Sequence, residues 1–271
     1  MAESRNGAAH PAAISQQEAR AWIARWDVQQ QVYMPDREER FTALIDVVQA
    51  AASAPDPLII DLGCGPGSLA VRLLDRLPAA TVIGVDADPL LLALGLAAET
   101  DRAGLRFADV DLRVGGWSSA LGLDAKADAA VSTTALHWLS GPELAGMYAE
   151  LATVLRPGGL MLNGDHLEED EAAAPVLARL GRSMREREDQ RRFPDGHGES
   201  WAGWWEAVTA DPALAGQAAE RDRRRYGADH HAGESRLLAA HIAALLAAGF
   251  TEIGTLWQRG DNRLLCAVMG G

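Results

Sequence analysis

Leu58-Ile59-Ile60-Asp61-Leu62-Gly63-Cys64-Gly65-Pro66-Gly67-Ser68-Leu69-Ala70 is the stretch that decides the fold. The apolar run from Leu58 to Asp61 reads as a buried strand. It enters a loop with glycine at three alternate positions, after which apolar residues recur at helical spacing from Ser68 to Leu77. A strand that turns through glycines into a helix opens a βαβ unit, because glycine permits the tight turn and lets a ligand approach the backbone.

Working outward, short apolar runs keep alternating with helical segments, the pattern of a parallel sheet. Further strands are expected at Thr81 to Asp86, Leu105 to about Asp109, Ala127 to Ser132 and Leu160 to about Asp165. Helices are expected at Pro89 to Ala98, near Ser118, and at Pro142 to Leu155. From about His166 to Gly233 the rhythm stops, and a charged stretch rich in Arg, Glu and Trp reads as a helical insertion. A helix from Ser235 to Ala248 and strands at Thr251 to Gln258 and Leu264 to Met269 close the chain, with the turn Arg259-Gly260-Asp261-Asn262 predicting an antiparallel hairpin. Upstream, Ser15-Gln16-Gln17-Glu18 has the form of a capping box, and Phe41, Leu44, Ile45 and Val48 mark one face of a second helix from about Asp36 to Ala51.

The fold class is therefore α/β, a Rossmann-like doubly wound sheet of seven strands with an antiparallel last strand. The expected organisation is a flexible tail (1–14), an N-terminal helical lid (15–56), a cofactor-binding core (57–165), a helical substrate cap (166–233) and a C-terminal helix and hairpin completing the sheet (234–271).

Composition narrows the function. The 271 residues carry a formal charge of −13, which opposes binding to a phosphate backbone and points away from nucleic acid. The basic run Arg221-Asp222-Arg223-Arg224-Arg225 is a local exception. Cys64 and Cys266 are far apart and sit in apolar stretches, so neither a disulfide framework nor a metal site is indicated. No apolar run approaches the roughly 18 residues that span a bilayer, and no signal segment opens the chain; a cytoplasmic protein is expected. Lys126 is the single lysine among many arginines, the skew of a GC-rich bacterial genome.

A glycine loop followed by an acid, Asp86, at the end of the next strand suits recognition of a ribose by its hydroxyls. Two cofactor classes share that arrangement. A dinucleotide fingerprint places its third glycine one residue later, where this chain has Ser68, and the anionic pyrophosphate wants a bare helix N-terminus. A methionine-like tail with its own ammonium benefits instead from Asp61 and nearby carbonyls, so S-adenosylmethionine is favoured over NAD.

The chain resembles class I S-adenosylmethionine-dependent methyltransferases. The resemblance is carried by Ile60 to Gly67, Val82-Ile83-Gly84-Val85-Asp86, Ala108-Asp109-Val110-Asp111-Leu112, Ala135-Leu136-His137-Trp138-Leu139 and Leu155-Arg156-Pro157-Gly158-Gly159, in the family's order. It implies that Gly63, Cys64 and Gly65 contact the methionine portion, that Asp86 binds the ribose, and that Ala87 and Leu112 sandwich adenine. Asp111 is expected to accept from the adenine amino group, with Asp109 as runner-up. Ser132 and Thr133 lie where such proteins approach the amino-acid tail. The Leu-His-Trp element is similar to that of bacterial trans-aconitate methyltransferases.

Methyl transfer needs alignment above all, and a base only when the acceptor must lose a proton. His166, with Asp165 to orient it, is the first candidate and His137 the second. Tyr33, Trp138, Trp201 and Trp205 are the expected substrate-facing residues, since aromatic faces attract flat or cationic ligands. The expected partner is a small-molecule acceptor methylated on oxygen, nitrogen or carbon, with no nucleic acid and no membrane; the terminal hairpin and N-terminal helices offer a surface for a homodimer. A NAD-dependent oxidoreductase and a non-methylating cofactor-binding protein are the rival readings.

Overall fold

The computed structural model describes residues 14–194, 196, 198–224 and 234–271; the expected tail, apart from Ile14, and the last part of the insertion lie outside them. Two helices come first, α1 (Gln16–Tyr33) and α2 (Arg37–Ala51). The capping box forms at α1: the Glu18 amide donates to Ser15 Oγ, and Glu18 accepts from the Ser15 amide at 3.0 Å. The core follows as β1 (Leu58–Leu62), α3 (Ser68–Arg76), β2 (Thr81–Asp86), α4 (Pro89–Ala98), β3 (Leu105–Asp109), α5 (Trp117–Ala120), β4 (Ala127–Thr133), α6 (Gly141–Val154) and β5 (Leu155–His166). The expected insertion holds α7 (Pro175–Arg192), α8 (Trp201–Thr209) and α9 (Ala215–Arg223). The chain ends with α10 (Leu238–Ala247), β6 (Phe250–Arg259) and β7 (Asn262–Met269).

The seven strands are ordered β3-β2-β1-β4-β5-β7-β6, with β7 antiparallel to both β5 and β6. Ile59 and Ile60 are both fully buried but face opposite layers, as neighbours on a strand must. Ile59 packs with Phe41, Leu44 and Leu73 from α2 and α3, and Ile60 with Tyr148 and Leu151 of α6 and Leu245 of α10. The order reverses between β1 and β4, and open α/β sheets bind ligands in the crevice beyond the strand ends at such a point. The site is therefore sought where β1, β2 and β4 end.

One local expectation is corrected. Arg156-Pro157-Gly158-Gly159 reads in the sequence as a helix exit and turn; the helix does stop at Val154, but the four residues form the irregular start of β5. Leu155 pairs with Ala127 and Leu160 with Ala129, so the extra residues bulge out of the ladder, with Gly158 at φ 72°. Arg156 pins the bulge through Asp128 at 2.7 Å.

A third apolar cluster joins α1, α4 and the insertion. Trp204 is fully buried there among Ala19, Leu90, Leu94, Val208 and Leu214. The insertion is thus packed on the core through an aromatic contact that also involves Trp26 and Trp205.

Candidate cofactor and acceptor site

The loop after β1 is built from backbone. Gly63, Gly65 and Gly67 have φ of 70°, 55° and 88°, in the left-handed region. The Gly63 and Cys64 amides donate to the Val85 carbonyl at 2.8 and 3.0 Å, which ties the loop to β2. At Gly63 a Cβ would lie 2.2 Å from Ala135 Cβ, so the chain leaving β4 presses directly on the loop and only glycine fits. Cys64 is buried, and burial pushes its thiol well above the ordinary range, which removes it as a nucleophile.

Two carboxylates flank this loop. Asp61 is fully buried and neither side-chain oxygen has a partner in good hydrogen-bond geometry; burial together with the Asp86 charge pushes it up to about 7, against the weaker pull of the nearby Ala70 amide and Arg37 charge. A buried carboxylate in that condition is costly and calls for a cationic partner. Asp86 is pushed up by burial to about 6, and its oxygens accept from the amides of Gly65 (2.7 Å), Ala87 (2.8 Å) and Asp88 (2.9 Å). These bonds aim the carboxylate at the loop. Ser132, fully buried, donates to the Leu62 carbonyl at 2.7 Å, and Ala87 is buried at the end of β2.

At the neighbouring strand Asp109 stands in register with Asp86, at the end of β3. Asp111 and Leu112 lie past the strand, where Asp111 accepts from Arg113. The Asp109 carboxylate is held bidentately by Arg224, at 2.6 and 2.9 Å, and the same guanidinium donates to the Ala87 carbonyl at 3.1 Å. Arg221 reaches back in parallel to Asp88 at 2.7 Å, with its guanidinium 3.7 Å over the Trp205 ring. Two arginines near the end of α9 therefore clasp the ends of β2 and β3. A cavity of about 230 Å³ opens beside Leu112 and Arg113, between α5 and α6.

Beyond β4 and β5 the site is built from side chains. His137 Nδ1 is 2.8 Å from Asp165 Oδ2, and Asp165 is 1% exposed. Burial pushes Asp165 up, but the charge and hydrogen bond of His137, with Arg40 and His166, hold it down to about 2. Arg40 is fully buried and lies across Gly164, where a Cβ would meet its Nε at 2.7 Å. Its other nitrogens donate to Asn262 Oδ1 (2.8 Å) and Thr133 Oγ1 (2.5 Å), and burial lowers its pKa to about 10. The backbone of His137 is braced from behind: Ser235 Oγ donates to the His137 carbonyl at 3.1 Å, and His241 links the Ser235 carbonyl to Tyr148 at 2.8 and 2.7 Å. Thr134, just upstream, is the single non-glycine residue with positive φ (51°) among the described residues, a strained position of the sort that clusters at functional sites.

This geometry corrects the assignment of Asp165 to His166. The His166 amide does donate to Asp165, but its ring does not use that carboxylate. Its Nδ1 lies 2.9 Å from Asp261 Oδ1 and its Nε2 3.1 Å from the Tyr33 carbonyl. Both ring nitrogens of His166 are thus turned to protein acceptors, so neither is directed at a substrate while these contacts persist. His137 has the opposite arrangement: Nδ1 faces a carboxylate, Nε2 has no hydrogen-bond partner among the described residues, and the side chain is 19% exposed.

From the glycine loop to this dyad runs a belt of rings. The Trp26 ring would stand 4.0 Å from a Cβ on Gly65 and packs against Trp204 and Trp205 at 4.8 and 6.2 Å between centroids. Trp205 meets Trp201 at 5.8 Å, Trp201 stacks with Trp138 at 6.4 Å, and Trp138 lies 5.5 Å from the His137 ring. Tyr33, half exposed, accepts from the Trp201 amide at 3.3 Å. The four aromatic residues expected to face substrate thus fall into one neighbourhood. Arg40, the His137–Asp165 pair and the Arg224 clasp were missed by sequence reasoning. Arg40 left one signal, because it shares the helical stripe of Phe41, Leu44, Ile45 and Val48 and is buried with them.

Residues 59–159 match the family model of a methyltransferase domain. Curated relatives include trans-aconitate 2-methyltransferases of Azoarcus sp. (32% identical, 50% of this chain and 49% of that protein) and Streptomyces coelicolor (33%, 62% and 52%). The chain spans about half the length of these relatives. Among solved structures, the fold is similar to human N-acetylserotonin methyltransferase in complex with S-adenosylmethionine (17% identical, TM-score 0.52, 95% of this chain and 57% of that one). It is likewise similar to magnesium protoporphyrin IX methyltransferase from Synechocystis with bound S-adenosylhomocysteine (16%, TM-score 0.53, 91% and 95%). The 3-2-1-4-5-7-6 sheet is thus the fold of these solved methyltransferases, and the glycine loop lies within the segment of this chain that matches the methyltransferase domain.

Proposed function

We propose that the whole chain is a methyltransferase that moves the methyl group of S-adenosylmethionine to a small-molecule acceptor, with His137 as the base. The observation that carries this reading is the convergence, at one switch point of the sheet, of an unpaired buried Asp61 beside the glycine loop and the His137–Asp165 pair across β4. Asp61 fits an ammonium, Gly63 and Gly65 leave room for close backbone approach, and Asp86 fits a ribose. Cys64, Ser132 and Thr133 complete the wall on the methionine side. Ala87 and Leu112 suit adenine, and Asp109 suits its amino group better than Asp111 because it ends β3 in register with Asp86. The cofactor supplies an electrophilic methyl group.

His137 Nε2 is the nitrogen that would take the acceptor's proton, while Asp165 holds the tautomer and stabilises the resulting imidazolium. Arg40 keeps Asp165 ionised from the other side. Residues 15–56 serve as a lid and the insertion as a cap, closing through the Trp26, Trp204 and Trp205 contact. Trans-aconitate enters only as the acceptor of the relatives' named activity.

Titration calorimetry separates the rivals. Micromolar binding of S-adenosylhomocysteine, lost in Asp86→Ala and absent for NAD, is the expected result. Binding of NAD without S-adenosylhomocysteine would return the chain to the oxidoreductase reading. S-adenosylhomocysteine binding with no methyl transfer to any acceptor would favour a non-methylating binder.

A further inference from the structure

The start of α3 carries an inference about which cofactors the glycine loop admits, and it rests on the proposed methyltransferase reading. A helix that follows a glycine loop presents free amides and the positive end of its dipole, and in dinucleotide folds a pyrophosphate sits there. In this chain the protein itself fills that place. Gly67 stands at the cap of α3 without a side chain, and Ser68, the first residue of the helix, donates from Oγ to Asp27 Oδ1 of α1 at 2.6 Å. On the inner side, the first-turn amide of Ala70 lies beside the buried Asp61. Two carboxylates therefore attend the end of the helix at which a phosphate would be received.

The cations of this corner are engaged by the same residue. Asp27 Oδ1 stands 3.0 Å from Arg37 Nη1, Asp27 Oδ2 stands 3.2 Å from Arg72 Nη2, and Arg72 also holds Glu38 at 2.8 Å. Both guanidiniums lie by the Phe41 ring, 4.5 and 5.3 Å from its centroid, and Arg37 is buried. Arginine forks are the groups that a phosphate would recruit. Asp27 thus has the contacts of a bound anion: a hydroxyl, two guanidiniums and a helix N-terminus. Its position has a second consequence, because Trp26, the residue before it, borders Gly65 and packs on the rings of Trp204 and Trp205. Adjacent residues of α1 meet the loop and the helix that leaves it, so the bond to Ser68 also seats α1.

We propose that Asp27 is a specificity residue of the glycine loop, an internal carboxylate that takes the place of a phosphate at the start of α3 and so bars pyrophosphate-bearing cofactors. S-adenosylmethionine carries no phosphate and does not compete for that place. A dinucleotide would have to displace Asp27 from Ser68, Arg37 and Arg72, and lift α1 with it.

The test titrates inorganic pyrophosphate and S-adenosylhomocysteine into the full chain and its variants by calorimetry. Asp27→Asn removes the charge, keeps the size and can still accept from Ser68; Asp27→Ser is the second variant should the first not fold. Each should bind pyrophosphate about tenfold or more tightly than the wild-type chain does, because Arg37, Arg72 and the helix end then lack their carboxylate. Asp27→Glu, which restores the charge, should return pyrophosphate affinity to the wild-type level. S-adenosylhomocysteine should bind Asp27→Asn about three- to tenfold more weakly, through the loosened seat of α1. An Asp27 that only props up the fold would weaken S-adenosylhomocysteine binding and create no site for pyrophosphate, and that result overturns the proposal. So does a wild-type chain that binds pyrophosphate as tightly as the variants. If the wild-type chain binds no S-adenosylhomocysteine while the variants gain pyrophosphate, the cofactor reading fails and the place of Asp27 as the anion at α3 stands.

Discussion

The two sides of the switch point are made of different material. Beyond β1 and β2 the site is backbone: three left-handed glycines, loop amides on the Val85 carbonyl, and an Asp86 carboxylate oriented by amides. Beyond β4 and β5 it is side chain: His137, Asp165, Arg40 and the rings of the insertion, brought together from positions far apart in sequence. A backbone site recognises what every member of a family shares, because its shape depends on the turn. A side-chain site can change its ligand by single substitutions, and the proposed base of this chain lies there.

The comparison is broken most forcefully at the dyad. His137→Gln should lower kcat about 10²- to 10⁴-fold, the usual span for a general base, while leaving S-adenosylhomocysteine affinity within twofold. A variant with normal kcat would remove the base from the account. On the backbone side, Gly63→Ala should act through structure, since its Cβ meets Ala135 and its φ of 70° is unfavourable for alanine. Chemical denaturation should show a loss of at least about 2 kcal/mol together with lost cofactor binding; a stable variant that binds normally would contradict the close approach.

Asp61 sharpens the contrast through pH. Its carboxyl, raised to about 7 by burial, is protonated in the free protein below that value, whereas an ammonium ligand requires it ionised. Affinity for S-adenosylhomocysteine should therefore fall roughly tenfold as pH drops from about 8 to 6, with proton release on binding near neutrality. The sign for the free protein is opposite: stability conferred by the protonated form is complete below the ordinary carboxylate range and is lost as pH rises through about 7. Asp61→Asn should flatten the binding profile between pH 8 and 6.5, leaving only the Asp86 effect near 6. An unaltered profile would place the ammonium elsewhere.

Smaller effects are expected at the clasp and at the second histidine. Arg224 occupies Asp109 and the Ala87 carbonyl, groups that adenine would use, so Arg224→Ala should tighten S-adenosylhomocysteine binding about two- to fivefold, the size of an exposed ion pair. Weaker binding would mean that the arginine assists the adenine instead of competing with it. His166→Gln should cost about 1 kcal/mol of stability through its bonds to Asp261 and Tyr33 and leave kcat within twofold.

The same division explains what could be read from the sequence. The seven strands, the capping box at Ser15 and the glycine loop follow from local patterns, and each is found within a few residues of its expected place. β5 was the least legible, because the bulge at Arg156 to Gly159 looks locally like a turn and is only drawn into the sheet by pairing with β4. In the site, Asp61 and Asp86 were legible because they lie one strand apart around a motif. The partner of Asp165 was not: proximity in sequence favours His166, yet successive residues of a strand face opposite sides, and Asp165 meets His137 from the segment that follows the neighbouring strand β4. Arg224 on Asp109 joins residues separated by more than a hundred positions, for which the sequence contains no local sign.

The most direct measurement is a crystal structure of the chain with S-adenosylhomocysteine bound. The account predicts the amino-acid tail at Asp61 and Gly63, the ribose on Asp86, and the thioether sulfur facing the space bounded by His137, Trp138 and Trp201. A sulfur turned toward His166, or a ligand bound away from the β1–β4 switch point, would contradict it.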